Sequence, residues 1–396
     1  MSNMITISHF NTFMSRQNMS LLILLIVITT RFFSVSFTLG TDLNIYAQTD
    51  AATFAHHAAS AAEHFRAGDF SPLTETRVFQ QGHTNERIGL FYSPFWLLPG
   101  PGLLYASLFS GLAGSFAIYN VYVITRYVHS HQGGLIAIAP LVFFPSIVMV
   151  HGTVLREAFI LFAVTTAARV WIAPPSGWSI RSRAVVAGSA MLAAGLFRFY
   201  LFTLLIAVLG VAFLLHVLHS RSVSYRTKIG ATVGSVIIAP VSLIVISRYL
   251  VRIDVTDIVG TLSSLRSSRA YGRTAYHTTL EFAALSDVIA YSWIGMTYFL
   301  FSPFAWMVET LPDLVVFAEG TVALLFAYFS LRGAKAMFHR RPVVCWTLVF
   351  ALLITAFVYG IGQANVGLSV RQRPVALWIL FIFGGIGFTE TYRIKI

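Results

Sequence analysis

The sequence predicts a polytopic, all-α integral membrane protein, on three observations. Of 396 residues, 57% are apolar and only 11% charged, where a soluble domain carries roughly 25% charged residues; the mean hydropathy is +0.75. Stretches 133–150, 229–247, 342–370 and 374–389 contain no Asp, Glu, Lys or Arg and are long enough, or nearly so, to cross the hydrocarbon core. The basic residues sit in short connecting segments, so the net charge of +12 reads as loop charge facing a cytoplasm rather than a nucleic-acid surface. The one cysteine, Cys345, lies inside an apolar run, which excludes an intrachain disulfide and a thiolate metal site.

Further spans are expected at 21–39, 103–125, 158–173 and 314–331. Arg31 interrupts the first apolar stretch and no small-residue cleavage site follows it, so an uncleaved span is expected. The run 184–217 is too long for one crossing and carries Arg198 near its middle between basic flanks. A tight hairpin with Arg198 near the tip accounts for that.

About ten spans put Arg16, Arg126, Arg181, Arg183, Arg221, Arg226, Lys228, Arg332, Lys335, Arg340, Arg341, Arg393 and Lys395 on one side, the cytoplasm of a plasma-membrane protein with both termini inside. All three lysines fall there, and of the fifteen acids only Glu390 does. Apolar segment 290–308 would break this partition if it crossed. It is therefore expected to be a re-entrant or interfacial element around Ser302-Pro303-Phe304-Ala305-Trp306, which is tolerated where protein covers the backbone. The chain reads as a single integral membrane domain over 1–396, with outer segments 40–87, 251–313 and 362–374.

In the first outer segment, residues 51–68 are alanine-rich with apolar residues at helical spacing (Ala51, Phe54, Ala55, Ala58, Ala62, Phe65), the pattern of an amphipathic helix on a membrane surface. Asp50 stands at its start, as an N-cap or as a general base held above the headgroups. Asp50, His57 and His64 recur every seven residues and share a face. They offer a ligand set for a divalent metal ion; a wet polar face explains the spacing equally.

Arginines outside the cytoplasmic loops oppose the positive-inside preference. Arg156 adjoins Glu157, which neutralises it or leaves it to a ligand. Arg198 is flanked by Phe197 and Phe199, and an ionisable residue at such a depth is a functional candidate, with snorkelling as the structural alternative. Arg266, Arg269 and Arg273 cluster with His277, and Arg371 and Arg373 precede the last span. Guanidinium groups bind phosphate bidentately, and a lipid phosphate is the anion at hand. No nucleotide-binding loop is present in the sequence.

With TDAATFAHHAASAAEHFRAGDF after the first span, and with FPSIVMVHGTVLREA, LFRFY, FLFSPFAW and NVGLSVRQRP further on, the chain resembles the GT-C superfamily of multi-span glycosyltransferases, which use polyprenyl-phosphate-linked sugars. The resemblance implies that Asp50, with Asp42 as substitute, deprotonates an acceptor hydroxyl. It also implies that Arg371, Arg373, Arg198, Arg156 and the cluster Arg266, Arg269, Arg273 bind the departing lipid phosphate. The partners implied are a polyprenyl-phosphate-linked sugar, membrane lipids, and a glycan, lipid or protein acceptor. A divalent metal could supply part of the charge stabilisation.

Two other readings stand beside it. An O-antigen polymerase or ligase-like enzyme would rely on the late outer arginines and His277 and need no aspartate base. A non-enzymatic transporter or flippase for an anionic lipid would need ionisable groups near the midplane.

Overall fold

The computed structural model describes residues 16–41, 48–74, 84–219, 224–226, 228–230 and 257–392; these are predominantly helical and include no strand. The helices are α1 (Arg16–Thr41), α2 (Gln48–Arg66), α3 (Thr84–Leu97), α4 (Gly102–Val128), α5 (His131–Phe143), α6 (Pro145–His151), α7 (Glu157–Ile172) and α8 (Ile180–Phe197). They continue as α9 (Phe199–His219), α10 (Ile258–Ser267), α11 (Leu285–Phe301), α12 (Leu311–Arg340), α13 (Pro342–Gly362), α14 (Val366–Gln372) and α15 (Pro374–Tyr392).

Among the described residues six helices are long and apolar enough to cross a membrane (α1, α4, α8, α12, α13 and α15), and seven if α5 and α6 form one bent span. The expected ten are thus not all found. Most of 229–247 lies outside the described residues, and α7, at 16 residues, falls short of a crossing. The hairpin at 184–217 is present. Arg198 alone separates α8 from α9 with an extended backbone (φ −151°, ψ 103°), and Met191 and Ala187 pack in one cluster with Leu205 and Leu209, symmetrically about it.

The uncharged run 133–150 hides a break. Its two helices meet at 70°, because Pro145 has no N–H for the Leu141 carbonyl. The next donor, Ser146 N–H, bonds Glu319 Oε1 at 2.8 Å, so the Val142 carbonyl also loses its partner in the helix. Arg31, fully buried, donates to both carbonyls, at 2.5 Å to Leu141 and 3.1 Å to Val142. The arginine that interrupts the first apolar run therefore caps a broken helix inside the protein, where every backbone polar group needs a partner.

The core is centred on α15, wedged between α12 and α5. Gly384, Gly385 and Gly387 let three backbones approach: a Cβ on Gly387 would strike the Phe329 carbonyl, and one on Gly385 would meet Gly133 and Ala137. Close backbone approach is how membrane helices gain packing energy without a hydrophobic drive between them. Gly387→Ala is expected to destabilise the fold by about 1–3 kcal/mol through overpacking, read as an earlier unfolding midpoint in mixed micelles. Gly188→Ala, where nothing lies within 4 Å, should leave the midpoint unchanged.

Charged contacts gather at two opposite ends of the bundle. At one end Glu390 accepts from His129 (2.7 Å) and Arg340 (3.3 Å), Arg332 from α12 bonds Thr391 (2.9 Å), Arg126 bonds Ser20 (3.0 Å), and Arg341 stacks over Tyr127. At the other end, where α13 finishes and α15 starts, lie Asp50, Glu157, Glu319 and their arginines. The same segregation is what the basic loops imply.

Helix α11 accounts for most of the segment 290–308. Gly295 meets Gly360 backbone to backbone, Phe299 stacks on Tyr359 at 5.1 Å, and Gly320 abuts the Phe301 carbonyl. These contacts pack α11 against the end of α13 and against α12; at 17 residues α11 is a short apolar helix. Beyond it, Pro303 follows a cis peptide bond and residues Ala305–Met307 form a 3-10 turn.

Candidate functional site

The candidate site is built around segment 359–373, the end of α13, the short α14 and the turn between them. Asn365 caps α14 by accepting from Leu368 N–H at 3.3 Å. The loop after α10 pairs with this segment through Tyr276 N–H to the Ala364 carbonyl (2.9 Å) and Val366 N–H to the Thr274 carbonyl (3.0 Å).

Most of the arginines singled out in the sequence converge here, each with a partner of its own. Arg371 Nη1 reaches Asp50 Oδ2 at 2.5 Å across 321 residues of chain. Arg373, fully buried, bonds Glu319 at 2.8 Å and the Ser302 carbonyl at 3.0 Å, while Glu319 also accepts from the Ser146 hydroxyl. Arg198 bonds Glu157 at 2.7 Å and the Tyr359 hydroxyl at 3.2 Å. Arg266 is spent on backbone: it donates to the carbonyls of Gln363 (2.6 Å), Tyr276 (3.2 Å) and His277 (3.4 Å) and stacks 4.6 Å from the Tyr291 ring centre. Arg269 donates to the Gly362 carbonyl at 3.0 Å. Arg273 forms a two-point bridge to Asp313 (2.8 and 3.0 Å) and also meets Glu309.

Burial separates these pairs. Arg373–Glu319 and Arg198–Glu157 are desolvated on both sides, and removing one partner would strand a charge. The Asp50 side chain is 45% exposed against 11% for Arg371, so of the two partners the carboxylate is the one open to solvent. Hydrogen bonds to Asp313 and Glu309 hold Arg273 above its usual range. Burial, with Arg266 second, pushes the His277 imidazole down, so it is neutral at pH 7.

Several expectations are corrected here. The expected helix over 51–68 is found as Gln48–Arg66, but its apolar stripe (Phe54, Ala58, Ala61, Ala62) is buried and faces α3, whose Gly89 lies against His57 and Ala58; the partner of that stripe is protein, not membrane. Asp50 lies in the first turn of α2 rather than preceding it, and its carboxylate turns to Arg371 instead of capping. Among the described residues no three His, Cys, Asp or Glu side chains could share a metal ion. Asp50 is bonded to Arg371 and His64 to Asp69 (2.7 Å), so Asp50, His57 and His64 do not form the proposed ligand set. Arg156 pairs with Glu157 at 3.9 Å, as its neighbouring charge suggested, and Glu157 is bonded more closely by Arg198 at 2.7 Å. Asp42 lies outside the described residues.

Glu319, Ser146, Tyr359 and Gln363 were not singled out by the sequence reading. Glu319 carried a usable signal, a lone acid within the apolar run 314–331, since an ionisable group inside a span is a functional candidate by default. No family model, curated protein or solved structure matches this chain.

Proposed function

We propose that the protein is a membrane glycosyltransferase moving a sugar from a polyprenyl-phosphate carrier to an acceptor on the non-cytoplasmic face. The observation that supports this best is the Asp50–Arg371 pair, an acid from the first outer segment meeting a guanidinium of the last outer loop. In the reaction the lipid phosphate leaves the anomeric carbon and the acceptor hydroxyl loses its proton. Arg371 offers charge to the departing phosphate, and Asp50, once released from Arg371, offers a carboxylate to the proton. The other arginines serve differently from the role first expected. Arg266 and Arg269 are bonded to backbone carbonyls, and Arg198 and Arg373 to buried acids, so they shape the segment that presents Arg371. The direct test is transfer by purified, reconstituted protein from a defined polyprenyl-phosphate sugar.

This reading requires the Asp50 end to face outward. With Cys345 buried, Tyr271→Cys and Lys335→Cys report on the two ends, both positions being exposed. In intact cells a membrane-impermeant maleimide is expected to label the first and not the second. Labelling of both, or the reverse, contradicts the assignment.

A second reading, transport or flipping of an anionic lipid, draws on the break between α5 and α6, because broken helices commonly form the substrate sites of transporters. Movement of the donor lipid across vesicles without sugar transfer would favour it.

A further inference from the structure

At the end of the bundle opposite Asp50, α4 gives way to α5 through two polar residues, His129 and Ser130. A third side chain reaches them from α15, 261 residues away in the chain. His129 Nε2 lies 2.7 Å from Glu390 Oε1, which Arg340 also approaches at 3.3 Å. His129 Nδ1 lies 2.8 Å from Ser130 Oγ. Ser130 caps α5, its oxygen accepting from Gly133 N–H at 3.1 Å.

The direction of each hydrogen bond follows from the acceptors. A carboxylate has nothing to donate, so His129 donates to Glu390 from Nε2. The neutral imidazole then carries its lone pair on Nδ1, and the Ser130 hydroxyl donates there. Capping needs only the oxygen of Ser130, and Asp or Asn would supply one as well. A hydroxyl proton aimed at an imidazole is more than a cap requires. Ser130, His129 and Glu390 stand in the order of a nucleophile, its base and the group that orients the base. The surroundings suit that chemistry. The His129 side chain is 6% exposed, while Ser130 is half-buried. A Cβ on Gly133 would stand 3.2 Å from Ser130 Oγ and 3.3 Å from His129 Nδ1, so glycine keeps a side chain off both reacting atoms. The first-turn N–H groups of α5 follow directly, at the positive end of the helix dipole, where a developing oxyanion is stabilised.

We infer that Ser130 is a nucleophile toward acyl esters or thioesters, with His129 as its base and Glu390 as the residue that positions His129. Ser130 Oγ bonds the acyl carbon while its proton passes to His129 Nδ1. The ester C–O or thioester C–S bond breaks, and the leaving oxygen or sulfur takes that proton. Water then releases the acyl group as a carboxylic acid, its proton passing to His129 Nδ1 and from there to Ser130 Oγ. The site lies at the other end of the bundle from the Asp50–Arg371 pair and does not rest on the transfer reading.

The probes are a fluorophosphonate, which phosphonylates activated serines, and p-nitrophenyl acetate, applied to the full chain in nanodiscs. The native protein is expected to give an adduct located on Ser130 by peptide mass, and a burst of nitrophenol equimolar with protein. Ser130→Asn keeps a capping oxygen, so the fold is retained, and it should show neither. His129→Gln should slow labelling by about a hundredfold or more, the usual worth of a positioned base. Glu390→Gln should slow it as well and move the pH inflection of labelling downward, because the imidazolium loses the carboxylate that stabilises it; Arg340 is the other charged group on that carboxylate. A merely structural Glu390 would leave the inflection in place, which would overturn the role given to it. No adduct on Ser130, an adduct whose rate His129→Gln leaves unchanged, or no burst from the native protein overturns the inference. None of these readouts involves sugar transfer, so their failure is distinct from failure of that reading.

Discussion

Asp50→Asn is expected to lower kcat for sugar transfer by about 10²–10⁴-fold, the usual worth of a positioned general base, with no rise in KM for the lipid-linked donor. The asymmetry follows from the pair's geometry. In the native protein Asp50 occupies Arg371, and donor phosphate must compete for that guanidinium; Asn competes less. Arg371→Gln should act in the opposite sense. It removes a charge-assisted interaction worth roughly 1.5–3 kcal/mol, hence roughly a ten- to hundredfold rise in donor KM. The folded state of each variant is checked by its unfolding midpoint in mixed micelles, because Arg371 is 11% exposed against 45% for Asp50. The charge-swapped protein, Asp50→Arg with Arg371→Asp, separates chemistry from architecture. It can restore the ion pair but puts base and phosphate ligand on the wrong elements, and it should remain inactive. Near-native transfer by the swapped protein would reduce Asp50–Arg371 to a structural tie.

How far such a pair could be read from sequence depends on what a linear pattern records. Arg371 and Asp50 stand out because charges at the mouths of spans are few, and Arg198 because it splits an apolar run too long for one crossing. The gathering of Arg126, Arg340, Arg341 and Glu390 at one end was likewise legible, since loop charge follows sidedness. The break at Pro145 was not. Hydropathy is uniform across 133–150, and the event there is one missing N–H, whose consequences depend on Arg31, more than a hundred residues away. The face of α2 was correctly periodic but its partner was not encoded: Phe54 and Ala58 suit a bilayer as well as they suit α3, and the close approach of Gly89 decides. The arginines illustrate the same limit. Their positions were visible, but whether Arg266 meets a ligand or three carbonyls is set by tertiary packing.

Glu319→Met is expected to be among the most destabilising single changes in the protein, by about 3–5 kcal/mol, because it strands the Arg373 cation in the interior. Arg373→Met should cost a similar amount by stranding the carboxylate. The double variant, Glu319→Met with Arg373→Met, should be more stable than either single one, since the charges leave together and methionine fills irregular space. It will not regain native stability, for a reason specific to this node. Glu319 also accepts from Ser146 N–H and from the Ser146 hydroxyl, and their loss leaves buried donors unsatisfied at about 1–3 kcal/mol. The residual defect of the double variant, measured as the shift of its unfolding midpoint in mixed micelles, thus isolates what the carboxylate does for the broken helix from what it does for Arg373. If the double variant were no more stable than the singles, the pair would not be a coupled buried bridge. Transfer activity adds an independent readout. Arg373 anchors the end of α14 through the Ser302 carbonyl, two residues from Arg371, so a folded double variant should show a higher donor KM through misplacement of Arg371, even though neither altered side chain touches the pair it positions.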